Sequence, residues 1–210
     1  MTNRRRPEIS SRKQPQQVRS TELVAAILQA AAQVLSEEGA TRFTTARVAE
    51  KAGVSVGSVY QYFPNKTSIL FQLQADEWKQ TTEMLRNILE DFRKPPLDRL
   101  RAVVHAFIHS ECEEAQMRVA LSDAAPLYRD APEAKQIRAS AKRTFESFMD
   151  EALPKASAAT RALAGDLVTT TFSSVGKSFS GTPRTQREIT AYADALADMC
   201  CAYLKSLHTE

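Results

Sequence analysis

Short hydroxyl side chains, two tyrosines and a lysine are concentrated between Phe43 and Lys66, in the stretch FTTARVAEKAGVSVGSVYQYFPNK. Hydroxyl groups donate and accept hydrogen bonds, and a lysine ammonium neutralises an anion, so this set suits a partner with phosphate oxygens and polar edges. No nucleophile paired with a base and no glycine-rich phosphate loop accompanies it anywhere in the chain. The stretch therefore favours recognition over catalysis.

Two short helices joined by a tight turn are predicted to position these side chains. Thr44 and Thr45 can cap the first helix, Gly53 ends it, and Ser55 can cap the second. In a helix-turn-helix, the second helix enters the DNA major groove with its N-terminal residues at the base edges, while the first crosses the backbone. The pattern predicts such a DNA-binding unit.

The exposed side chains of the second helix are predicted to be short at its start and aromatic towards its end. Val56 can contact a thymine methyl group, and the Ser58 hydroxyl can bond to a base edge. The hydroxyls of Tyr60 and Tyr62 and the ammonium of Lys66 suit phosphate, although simple packing of the two tyrosines remains an alternative. The predicted DNA contacts are Thr44, Thr45, Ser55, Val56, Gly57, Ser58, Tyr60, Gln61, Tyr62 and Lys66.

A basic arm precedes the helices. The chain carries a net charge of +3, but residues 1–19 alone carry +5, so the remaining 191 residues sum to −2. Such an arm is predicted to be disordered and attracted to polyanions, and a solvated tail without a partner is the alternative. Its basic residues are Arg4, Arg5, Arg6, Arg12, Lys13 and Arg19.

The whole chain is predicted to be all-α, with about nine helices. Gly39 is placed to end a first helix, and Asn65 can cap a long fourth helix from Lys66 to Phe92, which Pro95 and Pro96 follow. The expected domains are a disordered arm (1–19), a three-helix DNA-binding domain (20–66) and a helical domain (67–210).

Composition excludes several classes of protein. Three cysteines, two of them adjacent, make a poor disulfide framework, and no run of eighteen apolar residues could span a membrane. A soluble cytoplasmic protein with reduced thiols is expected. His105 and His109 lie four residues apart with Cys112 beyond them, a spacing that could bind a transition metal, but a solvated or pocket-facing polar flank explains it without a metal. No metal, no cofactor and no enzymatic activity are expected.

Residues 23–70 resemble the N-terminal domain of TetR-family transcriptional regulators, through ILQAAAQVLSEEGATRFTTARVAEKAGVS and GSVYQYFPNKTSIL. The resemblance implies a homodimer that binds double-stranded DNA at a palindromic operator. The last two helices of each subunit would form the dimer interface as a four-helix bundle. It also implies that Arg4, Arg5 and Arg6 could reach an adjacent minor groove. Small residues expected at the subunit interface are Ala158, Ala159, Ala162, Ala164, Gly165, Ser173, Ser174 and Gly176.

The resemblance further implies a small-molecule effector, bound among the helices after the fourth, that releases a repressor from its operator. A transcriptional activator, a ligand-independent DNA binder, and a helical scaffold or enzyme that retained the fold are the alternatives. Glu111 is a candidate buried anchor for a cationic or hydroxylated group of the effector, because it falls on the apolar stripe of its helix. That stripe consists of Leu97, Leu100, Val103, Val104, Phe107 and Ile108. The candidate lining residues, which could equally be ordinary core, are Trp78, His105, Phe107, His109, Glu111, Cys112, Met117, Phe145, Phe148 and Phe172.

Overall fold

The structure is a computed structural model that describes residues 18–127 and 132–207. Within these ranges the chain forms nine α-helices and one short 3-10 turn (Ala125–Leu127), and it has no β-strand. The predicted all-α architecture is confirmed. The helices are α1 (Val18–Arg42), α2 (Thr45–Lys51), α3 (Val56–Tyr62), α4 (Lys66–Leu89), α5 (Pro96–Glu113), α6 (Ala115–Ala124), α7 (Pro132–Ala152), α8 (Ala158–Ser180) and α9 (Gln186–Ser206).

The described chain divides into two compact units. The first contains residues 18–77 with 116–127 and 132–135, and the second contains residues 78–115 and 136–207. The division within α4 falls between Glu77 and Trp78, so this helix contributes residues to both units. Helix α6 belongs to the first unit, although α5 before it belongs to the second.

Glycine and capping residues set the helix limits in the first unit. Gly39 has φ 72° and ψ 171°, which interrupts α1 at the position that the sequence predicted. The Asn65 side chain accepts a hydrogen bond of 2.9 Å from the Ser68 N–H and caps α4, as expected. Ile27 and Leu35 of α1 are fully buried together with Phe43.

Helix α4 ends earlier than predicted. The expected end at Phe92 is wrong, because the helix ends at Leu89 and the Phe92 side chain is 73% exposed. The Arg99 side chain donates from Nη1 to the Leu89 carbonyl. A hydrogen bond from the Asp91 N–H to the Ile88 carbonyl then forms a tighter turn. Sequence periodicity holds no signal for a carbonyl that a distant side chain binds.

Helix α5 is central to the second unit, where it packs on α8 and α9. Three polar contacts join α5 to α9: Arg101 pairs with Asp198, His105 Nε2 lies 3.1 Å from Asp194 Oδ1, and His109 Nδ1 lies 3.3 Å from Gln186 Nε2. Rising numbers on α5 meet falling numbers on α9, so the two helices run antiparallel. Leu100, Val103, Val104 and Ile108 form the buried stripe of α5 that the sequence predicted.

Three of the small residues expected at a subunit interface face inward instead. A side chain at Gly176 of α8 would place its Cβ 2.8 Å from Phe107 Cε1 and 2.9 Å from Glu111 Cγ on α5. Gly165 faces Met149 and Phe145 of α7. Ala164 is fully buried as well. These residues allow close packing within one chain, which the same small-residue signal could not distinguish from packing between chains.

The three cysteines and the lengths of the apolar segments can be compared with the expectations from composition. Cys112, Cys200 and Cys201 are free thiols, and burial raises the pKa of Cys200 to about 11. Among the described helices, none has the length and apolarity needed to cross a membrane.

We expect Gly176→Ala to lower the free energy of unfolding by about 1–3 kcal/mol, because the new Cβ overlaps Phe107 and Glu111. Gly165→Ala is the matched control. Its Cβ would meet Met149 Cγ at 3.4 Å, an ordinary contact, and alanine favours a helix over glycine by about 1 kcal/mol. Urea unfolding followed by circular dichroism measures both variants. Equal stability of the two variants would contradict the close α5–α8 approach.

Candidate nucleic-acid interface

Helix α2 begins at a hydroxyl cap and is held against α1 by ion pairs. The Thr44 side chain accepts from the Arg47 N–H at 3.3 Å, which makes Thr44 the N-cap. Lys51 Nζ lies 3.1 Å from Glu37 Oε2, and Arg47 pairs with Glu38, so two charges of α2 meet two of α1. The sequence did not predict these pairs, because the spacing of charges on two helices does not show which of them meet until the crossing of the helices is known.

Thr44 and Thr45 have different environments. Thr44 is exposed, whereas Thr45 is only 7% exposed and lies on the buried side of α2 with Val48 and Ala49. Thr44 thus presents its surface to a partner, while Thr45 is mainly a packing residue.

Helix α3 is capped by Ser55, which engages Ser58. The Ser55 hydroxyl accepts from the Ser58 N–H at 3.0 Å, and the two hydroxyl oxygens lie 2.8 Å apart. The cap satisfies an N–H that would otherwise be unpaired at the helix start. It also occupies one hydrogen-bonding site of Ser58, a half-buried residue that the sequence predicted as a base contact.

One face of α3 is exposed and the opposite face is buried. Val56 is 39% exposed and Tyr60 is 43% exposed, and these two residues lie one helical turn apart. Gly57 and Gln61, also one turn apart, are exposed beside them. The recognition face of α3 therefore consists of Val56, Gly57, Tyr60 and Gln61.

Tyr62 lies on the other side of α3. The prediction that Tyr62 is an exposed side chain of this helix is wrong, because it is 7% exposed and shares the buried side with Val59 and Phe63. The packing alternative applies to Tyr62, whereas Tyr60 is exposed as predicted. A helix of seven residues leaves room for few exposed positions, and its axis relative to α1 and α2 determines which they are.

Gly57 is not required by the fold of the first unit. A Cβ built at Gly57 would meet no atom closer than Ser55 Oγ at 3.7 Å, and its backbone is helical. Glycine in a helix costs about 1 kcal/mol relative to alanine. Because the fold gains nothing from it, Gly57 points to a partner whose surface approaches the α3 backbone closely.

Lys66 begins α4 and is exposed. A positive side chain at a helix N-terminus opposes the helix dipole, and α4 has no acidic residue in its first turn to offset it. The start of α4 thus favours an anionic partner. Arg4, Arg5 and Arg6, the remaining predicted DNA contacts, lie outside the described residues.

The predicted effector-pocket residues fall into different environments. Phe107 stacks on Phe172 with ring centroids 5.9 Å apart, and the rings of Phe145 and Phe148 lie 5.7 Å apart, all within the core of the second unit. These four aromatic rings are thus an established part of the packing.

The polar pocket candidates are placed differently. His105 and His109 stack on each other at 6.5 Å and contact α9. Glu111 is buried against Gly176, as its position on the apolar stripe predicted. Trp78, Cys112 and Met117 are half-buried, and Met117 belongs to the first unit whereas the other two belong to the second.

A polar cluster in the first unit escaped the sequence analysis. Arg118 Nη1 lies 2.8 Å from Glu77 Oε1, and Gln74 Nε2 donates to Glu77 Oε2 at 2.8 Å. This cluster ties α6 to α4. Among the described residues, no three His, Cys, Asp or Glu side chains are grouped so that they could hold a metal ion.

Two family models together match most of the chain. Residues 27–73 match the model for bacterial regulatory proteins of the tetR family, and residues 95–207 match the model for the tetracyclin repressor-like C-terminal domain. The first match contains α2 and α3, and the second contains all of α5, α6, α7, α8 and α9.

Individual relatives agree with these matches. The chain is 40% identical over 83 residues to the nucleoid occlusion factor SlmA of Vibrio campbellii, a match that covers 39% of this chain and 42% of that protein. The chain thus spans about two fifths of that relative's length.

Solved structures share the fold. FadR of Bacillus subtilis in complex with stearoyl-CoA has a TM-score of 0.66 at 16% identity, over 85% of this chain and 97% of that one. NalD of Pseudomonas aeruginosa, the secondary repressor of the MexAB-OprM multidrug efflux pump, has a TM-score of 0.62 at 18% identity, over 86% of this chain and 96% of that one. With a C-terminal model that spans more than half of its length and an N-terminal model over its helix-turn-helix, the chain belongs to the TetR family of bacterial regulatory proteins.

Proposed function

We propose that this protein is a homodimeric transcriptional repressor that binds a palindromic operator and releases it when a small-molecule effector binds. The observation that carries the proposal is the exposed face of α3, which includes Gly57, a glycine that the fold does not require. Because Gly57 has no side chain, the backbone of α3 can approach base edges in the major groove closely. A protein of this kind acts where the chromosome is, in the bacterial cytoplasm.

Several of the predicted DNA contacts suit the phosphate backbone. Thr44, Ser55, Tyr60 and Lys66 carry hydroxyl or ammonium groups on exposed residues and suit phosphate, which sets the position of the protein on the duplex. Residues 20–66 hold four basic and four acidic side chains. Much of the salt-dependent affinity would therefore come from the arm with Arg4, Arg5 and Arg6.

Exposed apolar side chains on α8 and on α9 support dimerisation. Leu163 and Leu167 lie one turn apart on α8 and are 66% and 48% exposed, and Met199 on α9 is 54% exposed. Tyr192 on α9 is exposed as well. Such large apolar side chains cost free energy in water and suit a second copy of the same face. A dimer would present two α3 helices to half-sites about 34–36 Å apart.

The effector is proposed to bind in the second unit. FadR of Bacillus subtilis was solved with stearoyl-CoA, and SmeT was solved with triclosan, so proteins of this fold take ligands with large apolar parts. In this chain, the candidates Phe107, Phe172 and the buried Glu111 are packed together, so an effector would enter between apolar rings beside one acidic group. The effector would thus be an apolar molecule with a hydroxyl or cationic group.

Helix α4 is the proposed route of regulation, since it contributes residues to both units. A tilt of its second half would move Lys66 and the α3 helix that precedes it, and so change the spacing of the two recognition helices. A coupling of about 1–3 kcal/mol changes operator affinity about 5- to 150-fold. An effector with equal affinity for both states would shift nothing, which would exclude this mechanism.

Alternative functions make different predictions. An activator or a ligand-independent DNA binder would bind the operator but would not be released by an effector. A helical scaffold or an enzyme that retained the fold would keep its activity when Tyr60 and Lys66 are changed to alanine.

We expect Gly57→Ala to stabilise the protein by about 0.5–1 kcal/mol and yet weaken operator binding at least about tenfold, because a methyl group would separate α3 from the DNA. Fluorescence anisotropy on DNA from upstream of its own gene, with scrambled DNA and a salt series, measures affinity. Thermal unfolding measures stability. Gly165→Ala, the same change in α8, should leave affinity unchanged. Unaltered affinity of Gly57→Ala would contradict the assignment of the recognition face.

Leu167→Glu should convert the dimer to a monomer, because two carboxylates would be buried in the α8–α9 face. Light scattering after size-exclusion chromatography gives the mass. Binding to a two-half-site operator should weaken while helicity by circular dichroism is kept. Val119→Glu is the control, since Val119 is a similarly exposed apolar residue that belongs to α6 and not to α8 or α9. A dimer in both variants would argue against this interface.

A further inference from the structure

We infer that Gln61 is the residue that selects the operator sequence, and that it reads an adenine in the major groove of each half-site. The inference rests on the proposed function and adds to it the base that is recognised. It follows from which groups of the recognition face are available, where they lie along α3, and which base edge they complement.

Availability separates Gln61 from the other polar residue of α3 that was predicted to contact bases. The Ser58 hydroxyl lies 2.8 Å from the Ser55 hydroxyl, and its N–H is bonded to the same oxygen. Ser58 is also half-buried, whereas Gln61 is exposed. The N-cap already uses the Ser58 N–H and one hydrogen-bonding site of the Ser58 hydroxyl, whereas it does not engage the Gln61 amide.

Position along the helix places the Gln61 amide over an open surface. Helical side chains lean towards the N-terminus, so a residue covers the surface one turn before it. For Gln61 that turn is occupied by Gly57, which has no side chain and whose Cβ position is free of contacts closer than 3.7 Å. The amide can therefore lie low against the α3 backbone, at the depth at which a base edge would meet it.

Chemistry then selects the base. A glutamine amide carries one acceptor and two donors, and adenine presents an acceptor at N7 beside a donor at N6. Guanine presents two acceptors at the same edge, and cytosine presents a donor. Adenine alone satisfies both ends of the amide at once, and the discrimination expected from such a bidentate pair is about 5- to 150-fold, or about 1–3 kcal/mol.

The neighbouring exposed residues add little competing sequence information. Val56 has no hydrogen-bonding side chain, and it can contact a thymine methyl group. Tyr60 carries a single hydroxyl, which suits a phosphate oxygen. The recognition face would therefore prefer A·T pairs, with the hydrogen-bonded choice made at Gln61.

Selection of bound sequences from randomised DNA tests the inference, with the full-length protein and four variants. The wild type should enrich an adenine at one position of each half-site. Gln61→Ala should lose the preference at that position alone. Gln61→Arg should change it to guanine, and Gln61→Glu should change it to cytosine, because those side chains complement those bases. Tyr60→Phe is the control, and it should weaken binding without altering any base preference.

Anisotropy on the selected operator and on its single-base-pair variants then gives the size of the preference. An unchanged adenine preference in Gln61→Ala and Gln61→Arg would overturn the role of Gln61 and leave the DNA-binding function standing. A wild-type protein that enriches no sequence would overturn the proposed function itself. Circular dichroism of each variant shows whether a loss of binding reflects unfolding, and the three substitutions at one exposed residue keep the test independent of any single variant.

Discussion

The buried guanidinium of Arg99 is the constraint on which the second unit depends. Arg99 is 1% exposed, and a cation so far from water is costly unless it is paired and hydrogen-bonded. Its Nη1 and Nη2 groups have partners, whereas its Nε has none among the described residues. It donates to the Leu89 carbonyl and to Glu151, and it lies 5.2 Å from the ring centroid of Phe92 and 5.8 Å from that of Phe148. One side chain of α5 thus binds both the end of α4 and a residue of α7. Any effector-driven change in α4 would act on a helix whose C-terminal end is held.

In the first unit, two exposed residues among the predicted DNA contacts lower the stability of their own helices. Gly57 lowers the helix propensity of α3, and Lys66 opposes the dipole of α4, and neither residue improves the packing of the first unit. Residues that break local rules without a gain in the folded chain are typical of binding surfaces. The stability that they cost is supplied by the caps at Thr44, Ser55 and Asn65 and by the buried residues of α1.

Helices α8 and α9 use small and large residues on different sides. Gly165 and Gly176 face α7 and α5, so the helices of one chain pack closely. Leu163, Leu167 and Met199 face outward, and they present the apolar area that a second copy would cover. The polar contacts between α5 and α9 lie along another flank of α9, at Asp194 and Asp198. These contacts accompany the buried apolar packing of α9 on α5, and the exposed side of α9 remains available for association.

The sequence by itself determined the helices and most of their limits, because capping side chains, Gly39 and the apolar stripe of α5 act over a few residues. It also indicated the recognition helix and the family, through Phe43 to Lys66. Tertiary structure decided what local pattern could not. It buried Tyr62 and Thr45 while leaving Tyr60 and Gln61 exposed, since the axis of a two-turn helix depends on its packing against α1 and α2. It ended α4 at Leu89 through Arg99, which belongs to the next helix, and it turned Gly176 inward against Phe107, because both contacts join different helices that meet only in the packed fold.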